Sequence, residues 1–317
     1  MRRAFLPLAC LLAAPLAAGE PALMKTTHVY KTVDKHDIRA DVYRAPGDKP
    51  QPVLVWIHGG ALITGNRDGV PRNLLDLCKA ERVTLISIDY RLAPEVKLPE
   101  IIADVEDAFR WIGAQAKKLG IAPDRLVVAG GSAGGYLTLV TGYRVMPRPK
   151  ALVAYWGYGD VDGEWYTTPS AHYRKRPLVS DTEAWAGLSG KVVSSPSADE
   201  QKGRGRFYLY LRQNGLWTKT VTGFDPVKDK AKLDPFCPVR NVTPAYPPTL
   251  LVHGTEDTDV PYILSQAMAR EFAKHKVAHE LVTVKGGEHG LAGADKMLVR
   301  EAHARALAFI RKQLLEK

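Results

Sequence analysis

The stretch Leu126-Val127-Val128-Ala129-Gly130-Gly131-Ser132-Ala133-Gly134-Gly135 passes from an apolar run into a glycine-rich turn. Residues 125–129 read as a strand buried on both faces, and residues 133–145 as a helix. Between them, Gly130-Gly131-Ser132-Ala133-Gly134 fits the pattern Gly-x-Ser-x-Gly, which in a strand-to-helix turn forms a nucleophile elbow. The serine takes a strained backbone at the corner. The glycines two before and two after it remove side chains that would strike the strand or the helix. The Ser132 hydroxyl then stands at a helix N-terminus, where backbone N–H groups stabilise an anion. An ordinary glycine-rich turn or a phosphate-binding loop would also contain glycines. The strand on one side and the helix on the other favour the elbow.

Working outward, the chain alternates between the two periods. Residues 27–32 and 37–43 alternate apolar and polar around Asp34-Lys35, as a hairpin does. Residues 52–57 (PVLVWI) and 83–88 are continuous apolar runs, and 151–156, 249–253 and 280–284 read as further strands. Leu74, Leu75 and Cys78 suggest a crossover helix between the first two runs. Ile101, Val105, Phe109, Ile112, Ala116 and Leu119 recur at spacings of three and four, predicting one long amphipathic helix that Gly120 ends. Further helices are expected over 265–274 and about 296–315. Strands alternating with helices predict an α/β fold: a mostly parallel twisted sheet flanked by helices.

Residues 157–246 break this rhythm, with scattered aromatics, glycines and charges and no clear strand. A connection this long usually carries function or its own small fold. The expected organisation is therefore a core over 20–156 and 247–317, with 157–246 as an inserted cap or lid over the C-terminal edge of the sheet. Its aromatics are expected to wall a small acyl pocket.

Charge and composition narrow the classes. The 317 residues carry 44 Lys and Arg against 34 Asp and Glu, a formal charge of +10, and 45% of them are apolar. That mixture excludes wholesale disorder and a polytopic membrane protein. The basic runs at Arg174-Lys175-Arg176, 202–206 and 228–232 suggest an anionic partner, but residues 157–246 hold 13 basic and 10 acidic residues, interspersed. Such a mixture reads as a solvated face, so no nucleic-acid partner is expected. Met1-Arg2-Arg3 precedes an apolar run to Ala18, then small residues, then Glu20. This is the layout of a signal peptide over residues 1–19, predicting a secreted or periplasmic protein with no stable membrane anchor. Cys78 and Cys237, which would remain, read as two separately buried apolar side chains.

A nucleophilic serine needs a base, and the base an orienting acid. His289 lies in Gly286-Gly287-Glu288-His289-Gly290, a loop after the last expected strand, where an imidazole reaches the sheet edge. His253 ends a strand and His58 begins a loop, and both look architectural. The acid should come from His253-Gly254-Thr255-Glu256-Asp257-Thr258-Asp259. Asp257 is favoured there, while Glu256 and Asp259 compete, each also readable as a solvated loop carboxylate. His58-Gly59-Gly60-Ala61 follows the expected strand 52–57, where an oxyanion loop belongs. The N–H groups of Gly60, Ala61 and Ala133 are candidates to converge on one oxygen, each worth about 2.7–4 kcal/mol in the transition state.

These motifs, with Asp89-Tyr90-Arg91-Leu92-Ala93-Pro94-Glu95, the Gly130–Gly135 turn and the loop from His253 to Pro261, resemble the α/β-hydrolases of the hormone-sensitive-lipase and acetyl-esterase-like carboxylesterase group. The resemblance spans roughly residues 52–290 and is weakest over 157–246. It implies Ser132, Asp257 and His289 as a catalytic triad, in the chain order of that fold, with Gly60, Ala61 and Ala133 as oxyanion donors. It implies no catalytic role for 89–95. Two departures stand out: Gly131 replaces a frequent acid, and Ala61 replaces a frequent third glycine. The Ala61 methyl crowds the alcohol side.

The expected function is a serine carboxylesterase acting on a small-molecule ester, short-chain and carried on an acetylated or feruloylated carbohydrate among the candidates. No metal or organic cofactor is implied. A peptidase of the same fold and a non-catalytic ligand-binding homologue are the alternatives. The intact set of three argues against the second, and the short chain before residue 52 against the propeller of such peptidases.

Overall fold

The computed structural model describes residues 22–316, so the leader expected over residues 1–19 lies outside the described residues. Eight strands form one sheet: β1 (Met24–Val33), β2 (His36–Arg44), β3 (Gln51–Ile57), β4 (Thr84–Ile88), β5 (Ile121–Gly131), β6 (Ala151–Tyr155), β7 (Thr249–Gly254) and β8 (His279–Val284). Their order across the sheet is β1-β2-β4-β3-β5-β6-β7-β8. The β1–β2 hairpin and its join to β4 are antiparallel, and every pairing from β4 onward is parallel. Six core helices accompany it: α1 (Arg72–Glu81), α2 (Leu98–Ala114), α3 (Ala116–Leu119), α4 (Ala133–Arg144), α10 (Ile263–Lys274) and α11 (Lys296–Leu315).

The continuous apolar strands are those covered on both faces. All seven residues of β3 are buried. Val53, Val55 and Ile57 join one core with Ile101, Val105, Leu137, Val140, Met268 and Phe272 of α2, α4 and α10. Leu54 and Trp56 point the other way, toward Leu74 and Cys78 of α1 and Ala302, Ala306 and Ile310 of α11. Burying each large aliphatic contributes about 1.5–3 kcal/mol, and a slip of one residue would exchange the two sets. Cys78 and Cys237 are both free and buried, in different cores. No helix of the described residues is long and apolar enough to cross a membrane.

The single helix expected to run to Leu119 is instead two. Gln115 leaves helical geometry (φ −96°, ψ 6°), its N–H turning to Trp111 and Gly113 carbonyls, and α3 follows as one short turn. Gly120 does end it, with left-handed φ 62° and ψ 44°.

Between β6 and β7 the chain is helical: α5 (Glu164–Thr167), α6 (Asp181–Ala186), α7 (Ala198–Asn214), α8 (Trp217–Thr222) and α9 (Lys230–Leu233). Ser180 and Ser197 cap α6 and α7, each closing a capping box with Glu183 or Glu200. Hydrophobic periodicity misses α7 because its buried positions are Arg204, Phe207, Leu211, Arg212 and Gln213. Two arginines eight residues apart lie on the inner face, inverting the signal by which amphipathic helices are found.

Candidate active site

The elbow has the expected geometry. Ser132 sits at φ 57°, ψ −123°, directly before α4, with its N–H donating to the Tyr155 carbonyl at 2.9 Å. A Cβ on Gly130 would lie 2.3 Å from the Gly134 carbonyl oxygen, and one on Gly134 would lie 2.0 Å from that of Ile57. Both positions therefore exclude any side chain, since the corner, the helix and β3 meet there.

The structure brings Ser132, His289 and Asp257 together. His289 Nε2 lies 3.1 Å from Ser132 Oγ, and its Nδ1 lies 2.8 Å from Asp257 Oδ2. Asp257 Oδ1 accepts from the N–H groups of Asp259 (3.0 Å) and Val260 (2.8 Å). Burial pushes the Asp257 carboxyl up, but its hydrogen bonds with His253 and His289 outweigh that and hold it at about 2. Burial likewise lowers His289, and the Asp257 hydrogen bond with the charges of Asp259 and Asp257 overrides it, so the imidazole titrates above its ordinary value.

The loops carrying acid and base are stitched to each other. Glu288 accepts from both the N–H and the hydroxyl of Thr258, each at 3.0 Å, and the Glu256 N–H donates to the Gly287 carbonyl at 2.9 Å. Glu256 itself is exposed.

His253 proves to be part of the site. It is fully buried, with Nε2 at 3.2 Å from Asp257 Oδ2 and 2.9 Å from the Val260 carbonyl, and Nδ1 at 2.7 Å from the Ser265 hydroxyl. Nε2 faces two acceptors, so it carries a hydrogen, and Nδ1 meets the Ser265 hydroxyl. By sequence alone His253 looks architectural. Its place at the end of β7, four residues before Asp257, was the available signal.

Asp259 is not a solvated loop carboxylate. Its Oδ1 accepts from the Tyr208 hydroxyl and from Arg212 Nη1, both at 2.5 Å, while Arg212 Nη2 donates to its carbonyl at 3.0 Å. Its Oδ2 lies 3.7 Å from His289 Nε2. Arg212 is enclosed by the rings of Trp165, Tyr166, Tyr173 and Tyr208, at 4.9–5.6 Å from their centroids.

The loop after β3 holds three successive left-handed residues, Gly60, Ala61 and Leu62, with φ of 106°, 56° and 63°. Its conformation is imposed from outside. The Tyr90 hydroxyl donates to the His58 carbonyl at 2.9 Å, and Trp217 Nε1 donates to that of Ala61 at 3.1 Å. Arg204 Nη1 donates to the Ile63 and Ala93 carbonyls, each at 3.0 Å, while its Nη2 meets Glu95 at 2.8 Å. Ala133 begins α4, so its N–H has no partner within the helix. Asp89 is tied to Arg67 and Arg91 to Asp104, which makes 89–95 a structural staple beneath this loop.

A cavity of about 230 Å³ opens beside Ser132, walled by Trp56, Pro71, Leu74, Trp156 and His303. None of its lining residues comes from 157–246. Within that segment Tyr166 stacks on Trp217 at 3.8 Å, and Trp165 on Tyr166 at 3.5 Å. Among the described residues no group of three or more His, Cys, Asp or Glu is arranged to hold a metal ion.

Comparison with known proteins agrees with this architecture. A non-reducing polyketide synthase of Preussia isomera is 26% identical over 308 residues, covering 86% of this chain but 14% of the synthase. Esterase LipC of Mycobacterium tuberculosis is 29% identical over 216 residues, which are 67% of this chain and 46% of LipC. The chain thus spans a small part of the first relative and under half of the second. A solved Staphylococcus aureus protein of unknown function superposes with a TM-score of 0.72 at 23% identity, covering 92% of this chain and 100% of that one. The family model for the alpha/beta hydrolase fold matches residues 54–293, from β3 past His289. With its sheet order, its elbow and that match, the chain belongs to the alpha/beta hydrolase fold family, in the group resembling hormone-sensitive lipase and acetyl esterases.

Proposed function

We propose that the protein is a serine carboxylesterase that cleaves short-chain esters through an acyl-enzyme on Ser132. The observation that carries this reading is the continuous path from Ser132 Oγ to His289 Nε2 (3.1 Å) and from His289 Nδ1 to Asp257 (2.8 Å). His289 takes the hydroxyl proton as Ser132 attacks the ester carbonyl, and Asp257 stabilises the imidazolium. The N–H groups of Gly60, Ala61 and Ala133 receive the oxyanion. His289 then gives the proton to the departing alcohol, and water repeats the sequence to release the acid. An esterase among the relatives, LipC, supports the ester as substrate.

The cavity beside Ser132 favours small acyl groups, since Leu74, Trp56 and Trp156 wall a volume of about 230 Å³. The leader pattern at residues 1–19 adds export from the cytoplasm to the proposal. Hydrolysis of a 4-nitrophenyl ester series from acetyl to decanoyl tests the reading. Turnover should be greatest from acetyl to butyryl and abolished in Ser132→Ala with an unchanged circular dichroism spectrum. Turnover persisting in Ser132→Ala above a few per cent of wild type would discard the acyl-enzyme.

A further inference from the structure

Asp259 has no part in the steps above, yet its Oδ2 lies 3.7 Å from the nitrogen through which every proton passes. The leaving alcohol oxygen takes its proton from His289 Nε2, so it must come within about 2.6–3.2 Å of that atom. A carboxylate oxygen 3.7 Å from the same nitrogen is within reach of the alcohol half of the substrate.

The carboxylate is firmly held. Tyr208 and Arg212 both donate to Oδ1, Arg212 also to the Asp259 carbonyl, and the Asp259 N–H to Asp257. Tyr173 adds a second hydroxyl beside the carboxylate. Both donors go to Oδ1 while Oδ2 lies toward His289 Nε2, and the Asp259 side chain is 17% exposed. Arg212 already balances the negative charge at 2.5 Å. The unused capacity of Oδ2 is thus that of a fixed hydrogen-bond acceptor, and an added cation is not required. A carboxylate on the alcohol would meet a lone pair of like charge.

The geometry points to Asp259 as a specificity-determining residue that accepts a hydrogen bond from a hydroxyl on the carbon next to the ester-bearing carbon of the leaving alcohol. The site thereby favours monoesters of polyols, including sugars, over esters of plain alkanols. This inference rests on the esterase reading of the same site. A sequence-level view of Asp259 as a loop carboxylate could not reach it, because Tyr208 and Arg212 lie about fifty residues earlier on α7.

The test uses two esters of equal size, 2-hydroxyethyl acetate and n-propyl acetate, which differ by hydroxyl for methyl. The purified protein should prefer the hydroxyl ester by about tenfold in kcat/KM, the scale of one hydrogen bond to a charged acceptor. In Asp259→Asn the amide oxygen still serves Arg212, and an N–H replaces the acceptor facing the alcohol. The ratio should fall toward one. A double variant, Asp259→Ala with Arg212→Met, removes the buried pair together and should give the same low ratio. Because each ratio is internal to one protein, general losses of activity or folded fraction cancel. A wild-type ratio near one with both esters cleaved overturns the inference and leaves the esterase reading intact. A tenfold ratio unchanged in both variants removes Asp259 from the role. Failure of the wild type to cleave either ester, or any aryl acetate, overturns the esterase reading and this inference with it.

Discussion

Two loops meet at Ser132, and they are built on opposite principles. The acid loop after β7 works through side chains: Asp257 holds His289, His253 holds Asp257, and Asp259 receives Arg212. The loop after β3 is proposed to work through main-chain N–H groups, and its own side chains do little at the reacting atoms. Its two left-handed non-glycines, Ala61 and Leu62, each cost of order 1–3 kcal/mol. They persist because Tyr90, Trp217 and Arg204 take hold of the carbonyls of His58, Ala61 and Ile63. Helix α7 reaches both loops, Arg204 to one and Arg212 to the other. A side-chain loop fails when one of its own residues changes. A main-chain loop fails when its distant supports change.

The sharpest break is expected within the acid loop. Asp257→Asn should lower kcat by roughly 10⁴, because the amide favours the wrong His289 tautomer. Glu256→Gln, on an exposed neighbour, should stay near wild type. Steady-state kinetics on an aryl acetate reads both, and a severe Glu256 variant would reverse the assignment.

The oxyanion loop should break from outside it. Arg204→Met leaves Glu95 buried without its partner and frees the Ile63 and Ala93 carbonyls. About 3–5 kcal/mol of stability should be lost, as for other buried pairs deprived of one member. Adding Glu95→Leu should recover part of the melting temperature, while kcat stays depressed because the carbonyls remain unheld. Full recovery of kcat in the double variant would show that the loop keeps its shape unaided.

Trp217→Phe is gentler, deleting the N–H to Ala61 while keeping most of the stacking on Tyr166. Loss of that bond should cost about 1–3 kcal/mol, appearing in kcat more than in KM. By contrast Ala61→Gly should change kcat little, since the N–H survives and a φ of 56° suits glycine. Ala61→Gly should instead speed esters of bulky alcohols, where the methyl crowds.

The smallest effect is in pH. Activity needs neutral His289, whose raised pKa places the acid limb of kcat/KM above the ordinary imidazole value near 6.5. Asp259 contributes to that elevation, and Arg212 opposes it. Asp259→Asn should therefore move the acid limb to lower pH. For stability the relevant group is Asp257, depressed to about 2. Its contribution is present above the unfolded carboxyl value of about 4 and is lost as pH falls from there toward 2. A pH–rate profile and melts in acid measure the two separately.

What was legible in the sequence follows local rules. The elbow shows because Gly130 and Gly134 are required by steric contacts within a few residues and with β3. Strands β3, β4, β6 and β7 show because every residue in them is buried, so no exposed face interrupts their mainly apolar runs. Ser132, Asp257 and His289 could be named in order because each stands at the C-terminal end of a readable strand, and a parallel sheet gathers such ends at one edge. That reasoning concerns side chains whose chemistry is apparent from their own neighbourhood.

Tertiary structure alone decided the rest. Helix α7 went unread because Arg204 and Arg212 occupy its buried face, and no periodicity rule credits an arginine with burial. Their burial makes sense only once Glu95, Asp259 and three loop carbonyls are seen converging on them from 47 to 141 residues away. The same holds for His253 on the acid and for the nearness of Asp259 to His289. A buried charge is stable only beside partners that compensate its lost hydration. Those partners are set by how distant segments pack, and so local sequence rules could not reveal them.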